Sequence, residues 1–257
     1  INTNFRPEAL SKNTKLHYVD HHLSHIASAF YPSDFKEAVG LSIDGFGDFC
    51  SICITKCKTD KINVIKKFLF PHSLGVFYES FTQLIGFKNY GDEYKMMGLS
   101  SYGKPIYYEK ILNNVFNNKK KIELNLKYFN HINKNYSYKF EGKPNQEDLY
   151  NYKLEELLEI KNLDINKITN VHKNIASSAQ KIFETKLFEI CDEIKKLNIS
   201  ENLVYSGGCA LNSLANKKLH DLNFFKKIFI PYAPGDGGGS IGAAMYTQSK
   251  IKKNVKF

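Results

Sequence analysis

EAVGLSIDGFGDFCSICITK (37–56) carries the reading of the fold. Its first nine residues form a largely apolar run closing on Asp44 and Gly45, which predicts a buried strand that ends in a glycine turn. DFCSICITK (48–56) and VIKKFLF (64–70) then read as two antiparallel strands around the turn residues KTDKIN (58–63). Helices flank these strands. HHLSHIASAFY (21–31) has helical spacing through Leu23, Ile26 and Ala29, and SLGVFYESFTQLIGF (73–87) is amphipathic with Ser73 as a candidate cap. KLHYVD (15–20) alternates apolar and polar residues and predicts one more short strand. Further on, Val171, Ile175, Ala179, Ile182, Phe183, Leu187, Ile190 and Ile194 mark a helix of about seven turns. ENLVYSGG (201–208) is a strand into a glycine turn with a helix from Ala210, and KKIFIPYAPGDGGG (226–239) repeats that plan with a helix from Ser240. Strands alternating with helices predict an α/β fold. Residues 104–168, rich in Lys, Asn and Tyr with one short helical segment, LEELLEI (154–160), read as a surface insertion that shapes a pocket or is partly mobile.

Composition narrows the function classes. The 257 residues fit one large domain or two small ones, and 42% hydrophobic with 24% charged residues excludes a wholly disordered chain. No run approaches the roughly 20 apolar residues of a membrane span, and INTNFRPEAL (1–10) lacks a signal-peptide pattern. The net charge of +10 raises the case for anionic partners such as nucleotides, RNA or acidic surfaces, but the excess is mostly Lys accompanied by much Asn and Ile, and simple compositional bias is the preferred reading. Five cysteines form no secreted disulfide scaffold. Cys50, Cys53 and Cys57 lack a second pair at zinc-finger spacing and read as buried strand thiols, with 50 and 53 on opposite faces, in a reducing cytoplasm.

Five clusters hold candidate chemistry. His21 and His25 lie one helical turn apart and can grip one divalent metal, or simply serve as surface or capping histidines; His22 points about 100° away. Asp44 ends the buried strand and offers a carboxylate to a cation, or forms a tight turn, whereas Asp48 reads as a turn residue. Ser206, Gly207, Gly208 and Asn212 lie in a strand–glycine–helix turn that presents backbone N–H groups to an anion, or in a plain turn. In PGDGGGS (234–240), Asp236 can reach a metal, while Gly237, Gly238 and Gly239 point to close approach or positive φ beside a helix N-terminus. In GDEYKMMGL (91–99), Lys95 can neutralise a phosphate or carbonyl oxygen, and the methionines point to packing.

Together, VDHHLSHIASAFYPS, LSIDGFGD, FPHSLGVFYESFTQLIGF, GDEYKMMGLSSYGKP, YSGGCALN and PGDGGGSIGAAMY resemble, in order, the NodU/CmcH-type O-carbamoyltransferases over about residues 15–103 and 170–247. The resemblance implies a Kae1-like domain of the actin/Hsp70/sugar-kinase fold, here residues 1–257 with an incomplete first lobe and a variable insertion. It implies metal ligands at His21, His25, Asp44 and Asp236, with iron as the ion, and a nucleotide loop at Ser206, Gly207, Gly208 and Asn212 near Gly237, Gly238 and Gly239. It implies carbamoyl-adenylate, made from carbamoyl phosphate and ATP in a YrdC-like domain, as the donor to a sugar or natural-product hydroxyl. Lys95 would stabilise developing charge, and His22 and His72 are candidates for the base that takes the hydroxyl's proton. The lead before HHLSH is short and no YrdC-like domain follows GAAMY, which reads as a truncated piece, a processed fragment or a degenerate homologue, with a partner chain carrying a YrdC-like domain as one source of the missing part. A Kae1-like tRNA-modification protein suits the basic charge, but the HHLSH and GDEYKMMGLSSYG pair lies closer to the NodU side and makes nucleic acid a poor fit. A metal- or nucleotide-binding partner subunit without turnover is the third reading.

Overall fold

The computed structural model describes residues 14–117, 122–132, 147–160 and 163–251. The N-terminal decapeptide and parts of the insertion lie outside these residues. Helix α1 (His21–Phe30) precedes three antiparallel strands, β1 (Glu37–Gly47), β2 (Cys50–Lys58) and β3 (Lys61–Leu69). Helices α2 (Leu74–Leu84), α3 (Glu93–Ser100), α4 (Tyr108–Val115), α5 (Tyr152–Leu158) and the long α6 (Asn170–Lys196) follow. The chain closes with β4 (Asn202–Ser206), α7 (Ser213–Asp221), β5 (Lys227–Phe229) and α8 (Gly239–Ile251). The strands form one mixed sheet in the order β3-β2-β1-β4-β5, antiparallel on the β3 side of β1 and parallel on the β4 side.

Alternation along the strands divides the apolar residues between two faces. Val39, Leu41, Ile43, Ile52, Ile54 and Leu203 face a large core shared with α2 and α6, where Phe77, Phe81 and Phe183 are buried. Ala38, Cys53, Cys57 and Val204 face a smaller cluster with Ile26, Ala29 and Phe30 of α1. The residues on that second face are small because α1 packs close. A Cβ at Gly40 would sit 2.7 Å from Ile26 Cγ2, and one at Gly242 of α8 would sit 1.8 Å from the Ser24 carbonyl oxygen.

Three expectations change. Residues 15–20 form no strand; Leu16 and Tyr18 are exposed, without a strand partner among the described residues. Cys50 and Cys53 share the α1-side cluster instead of facing apart, because the β2–β3 register shifts between Cys50 and Ile52 and breaks the alternation. The described part of 104–168 is not a surface appendage, since Ile111, Val115, Leu124, Phe129, Leu154 and Leu158 are buried in the main core.

Candidate metal centre

Asp20 starts α1: its Oδ1 accepts the Leu23 N–H at 3.1 Å, and its Oδ2 accepts Lys67 Nζ at 2.7 Å. The next residue, His21, donates its backbone N–H to Asp48 in the β1–β2 turn, where Asp48 and Phe49 adopt positive φ. Gly47 makes room for the His21 ring, which a Cβ there would meet at 2.2 Å. One turn on, His25 is 1% exposed. The two Nε2 atoms face each other at 3.1 Å.

Asp44 lies where the β1–β2 ladder opens, after the Ile43–Ile52 pair. Its Oδ1 accepts the N–H groups of Gly45 at 2.9 Å and Gly208 at 3.2 Å. That leaves Oδ2 at 2.8 Å from His21 Nε2 and 3.0 Å from His25 Nε2. Asp236, in a single turn before α8, places Oδ1 3.6 Å from His21 Nε2 and 3.3 Å from His25 Nε2. One donor atom from each of the four residues lies within 4.8 Å of every other. Two imidazole nitrogens and two carboxylate oxygens turned to one point are a donor set for a divalent cation. Without a cation, the imidazole nitrogens need a proton to sit beside each other and the carboxylates. The Nδ1 of His25 is buried without a hydrogen-bond partner among the described residues, so it lacks there the acceptor that usually supports a ligating histidine.

The sequence profile described as "Carbamoyltransferase N-terminus" matches residues 8–245. The chain belongs to this carbamoyltransferase family. It is 36% identical over 246 residues to an uncharacterized protein of Synechocystis, covering 93% of this chain and 37% of that one. It is 27% identical to the nodulation protein NolNO of Sinorhizobium fredii, covering 94% of this chain and 32% of that one. The chain therefore spans about a third of the length of these curated relatives. The crystal structure of T. kodakarensis HypF superposes with a TM-score of 0.47 at 17% identity, covering 93% of this chain and 37% of that one, a likeness too slight to bear on function.

Beside its four-residue cluster, this carbamoyltransferase-family chain has a cavity of about 550 Å³ with Asp44 and Asp236 on its wall. The other expected site residues fall differently. His22 is fully buried, with Nδ1 at 2.9 Å from Ser42 Oγ and Nε2 at 2.8 Å from the Cys50 carbonyl, so neither nitrogen is open to a substrate. Burial lowers its pKa and keeps it neutral. His72 accepts the Leu124 N–H at 3.2 Å and does not line the cavity. Lys95 pairs with Asp92 at 2.6 Å and also lies off the cavity wall.

The glycine turn after β4 is not an open anion cradle. The Gly207 N–H goes to the Pro234 carbonyl and the Gly208 N–H to Asp44. Ser206 is buried. Asn212 caps α7 through Ala215 N–H and exchanges two hydrogen bonds with the Gln180 amide. None of Gly237, Gly238 and Gly239 has positive φ, and only Gly238 is closed in, a Cβ there meeting the Ala233 carbonyl at 2.1 Å. Glu79 and Glu93 also line the cavity, and neither was among the expected site residues. The acidic pair Asp92-Glu93 in GDEYKMMGL was the available signal, but its helical phase was not.

Burial opposes charge on His25, yet hydrogen bonds to Asp236 and Asp44 outweigh it and raise its pKa from 6.5 to about 9. Burial likewise opposes the Asp44 charge, and the two histidines outweigh it, holding that carboxyl far below its usual range. A raised folded-state pKa stabilises fully below the unfolded value and ceases to stabilise as pH climbs through the folded one. The metal-free chain should therefore lose a few kcal/mol between about pH 6.5 and 9. A divalent ion competes with that proton, so the Tm gain on adding iron(II) should widen over the same range. A gain independent of pH would contradict the assignment.

Proposed function

We propose that this chain is the carbamoyl-transfer domain of an O-carbamoyltransferase with a Kae1-like, actin/Hsp70/sugar-kinase fold. The observation that carries the reading is the convergence of His21, His25, Asp44 and Asp236 on one point at the edge of a cavity. Family membership and the five-stranded sheet with helices on both faces support it. These four residues would hold a divalent ion, with iron the one the resemblance implies. Such an ion, when bound, polarises a carbonyl or binds a phosphate oxygen.

The chain's own residues supply the rest. The Gly208 and Gly45 N–H groups fix Oδ1 of Asp44, so its Oδ2 faces the histidines without needing to reorganise. The apolar and aromatic part of the cavity, including Phe46, Tyr78 and Phe183, suits a ring-bearing acceptor. Carbamoyl-adenylate is the donor in this reading and a sugar or natural-product hydroxyl the acceptor, with ATP and carbamoyl phosphate used by a YrdC-like unit elsewhere. The setting is the cytoplasm; no helix among the described residues is long and apolar enough to cross a membrane.

The turn donors already used on Asp44 and Pro234 favour a second reading, a metal-binding partner subunit without turnover. One measurement separates the two. The iron(II)-loaded chain given carbamoyl-adenylate should release AMP, and a chelator should stop it. Stoichiometric iron without AMP release selects the second reading.

A further inference from the structure

The transfer reading needs a group that takes the acceptor's proton, and neither expected histidine reaches the cavity. Among the described residues, no histidine, lysine or arginine lines it. Burial holds the Tyr78 phenol and the Cys209 thiol in their protonated forms. Tyr78 also donates its O–H to Gln180 at 2.7 Å. Asp44 and Asp236 belong to the four-donor cluster. Glu79 and Glu93 are the remaining carboxylates on the wall.

Glu93 sits in the first turn of α3, directly after the N-cap residue Asp92. Asp92 accepts from Lys95 at 2.6 Å and from Asn89 Nδ2 at 3.1 Å. The Glu93 carboxylate has no hydrogen bond or ion pair with another side chain among the described residues. Burial and the adjacent Asp92 charge raise its pKa, which suits a group that must accept a proton near neutrality. Glu93 lines the same cavity as Gly208, Cys209 and the cluster carboxylates Asp44 and Asp236.

We infer that Glu93 is the catalytic base of the cavity, an assignment that rests on the transfer reading. Its carboxylate takes the proton of the acceptor hydroxyl. The hydroxyl oxygen then forms a bond to the carbamoyl carbon, and the bond from that carbon to the phosphate oxygen breaks, its electron pair leaving with AMP. The proton passes from Glu93 to solvent. With water as the acceptor, the products are carbamate and AMP.

The probe is carbamoyl-adenylate alone, with AMP release followed on the iron(II)-loaded chain. Glu93→Gln should slow release by about 10²–10⁴-fold, while iron content, Tm and affinity for a non-hydrolysable sulfamoyl analogue of the adenylate stay near wild type. Glu79→Gln should keep more than about a tenth of the rate, and added formate should partly restore Glu93→Ala. A wild-type rate in Glu93→Gln, an equal loss in Glu79→Gln, or no rescue by formate would overturn Glu93 as the base and leave the transfer reading standing. No AMP release from the iron-loaded wild type would overturn both.

Discussion

His21→Ala should leave the chain with less than about a tenth of an iron(II) ion, against about one for the wild type, because removing a direct ligand costs more than the roughly 10–100-fold of a lost supporting contact. His21 is partly exposed and lies in neither apolar core, so its loss should cost the metal-free chain less stability than a change at Asp44. Asp44→Asn should lose the ion and stability together, since Asp44 Oδ2 faces both histidines and its Oδ1 ties β1 to the turn after β4. Removing one partner of a buried charge pair costs about 3–5 kcal/mol. His22→Ala separates the roles from the other side: it should cost stability by stranding Ser42 and the Cys50 carbonyl, yet leave the iron stoichiometry near one. Elemental analysis after dialysis, paired with thermal melts, reads all three. Iron retained by His21→Ala would remove the metal centre, and iron lost only in His22→Ala would misassign the helix face.

Local spacing accounts for what could be read in advance. His21 and His25 share a face because a helix repeats every 3.6 residues, and Asp44 ends a strand whose apolar run is visible in the sequence. Asp236 came from its motif. The illegible part depends on contacts between distant segments. Nothing near Gly208 says that its N–H will meet a carboxylate 164 residues earlier. His22 looked like a base because it lies in a histidine cluster, but its partners come from β1 and β2. In 104–168 the apolar residues that enter the core, such as Ile111, Val115 and Phe129, are thinly spread among Lys and Asn, so no strong periodicity announces them. Conversely, Leu16 and Tyr18 alternate as a strand would and remain in solvent, since alternation alone supplies no partner.

The glycines test this dependence most sharply, because the sequence presents them as equivalent. Gly207 has φ +88° and ψ 163°, and a Cβ there would lie 2.2 Å from the Ile43 carbonyl oxygen. Both the backbone conformation and the space exclude a side chain, and a carbonyl within β1 cannot swing aside without breaking the sheet. Strain of about 1–3 kcal/mol and a clash of similar size should together destabilise Gly207→Ala by about 3–5 kcal/mol, a large share of a domain's usual 5–15 kcal/mol. At about 2–4 °C per kcal/mol for a chain of this size, Tm should fall by roughly 10 °C. The displaced turn would also draw the Gly208 N–H away from Asp44, so iron affinity should fall with it. Gly237 lies in the other glycine loop, where a Cβ meets nothing within 4 Å and φ is not positive. Gly237→Ala should stay within about 0.5 kcal/mol of wild type. Similar melts for the two variants would mean that the turn after β4 does not press against β1, and the strand that carries Asp44 would then lack the support on which its orientation depends.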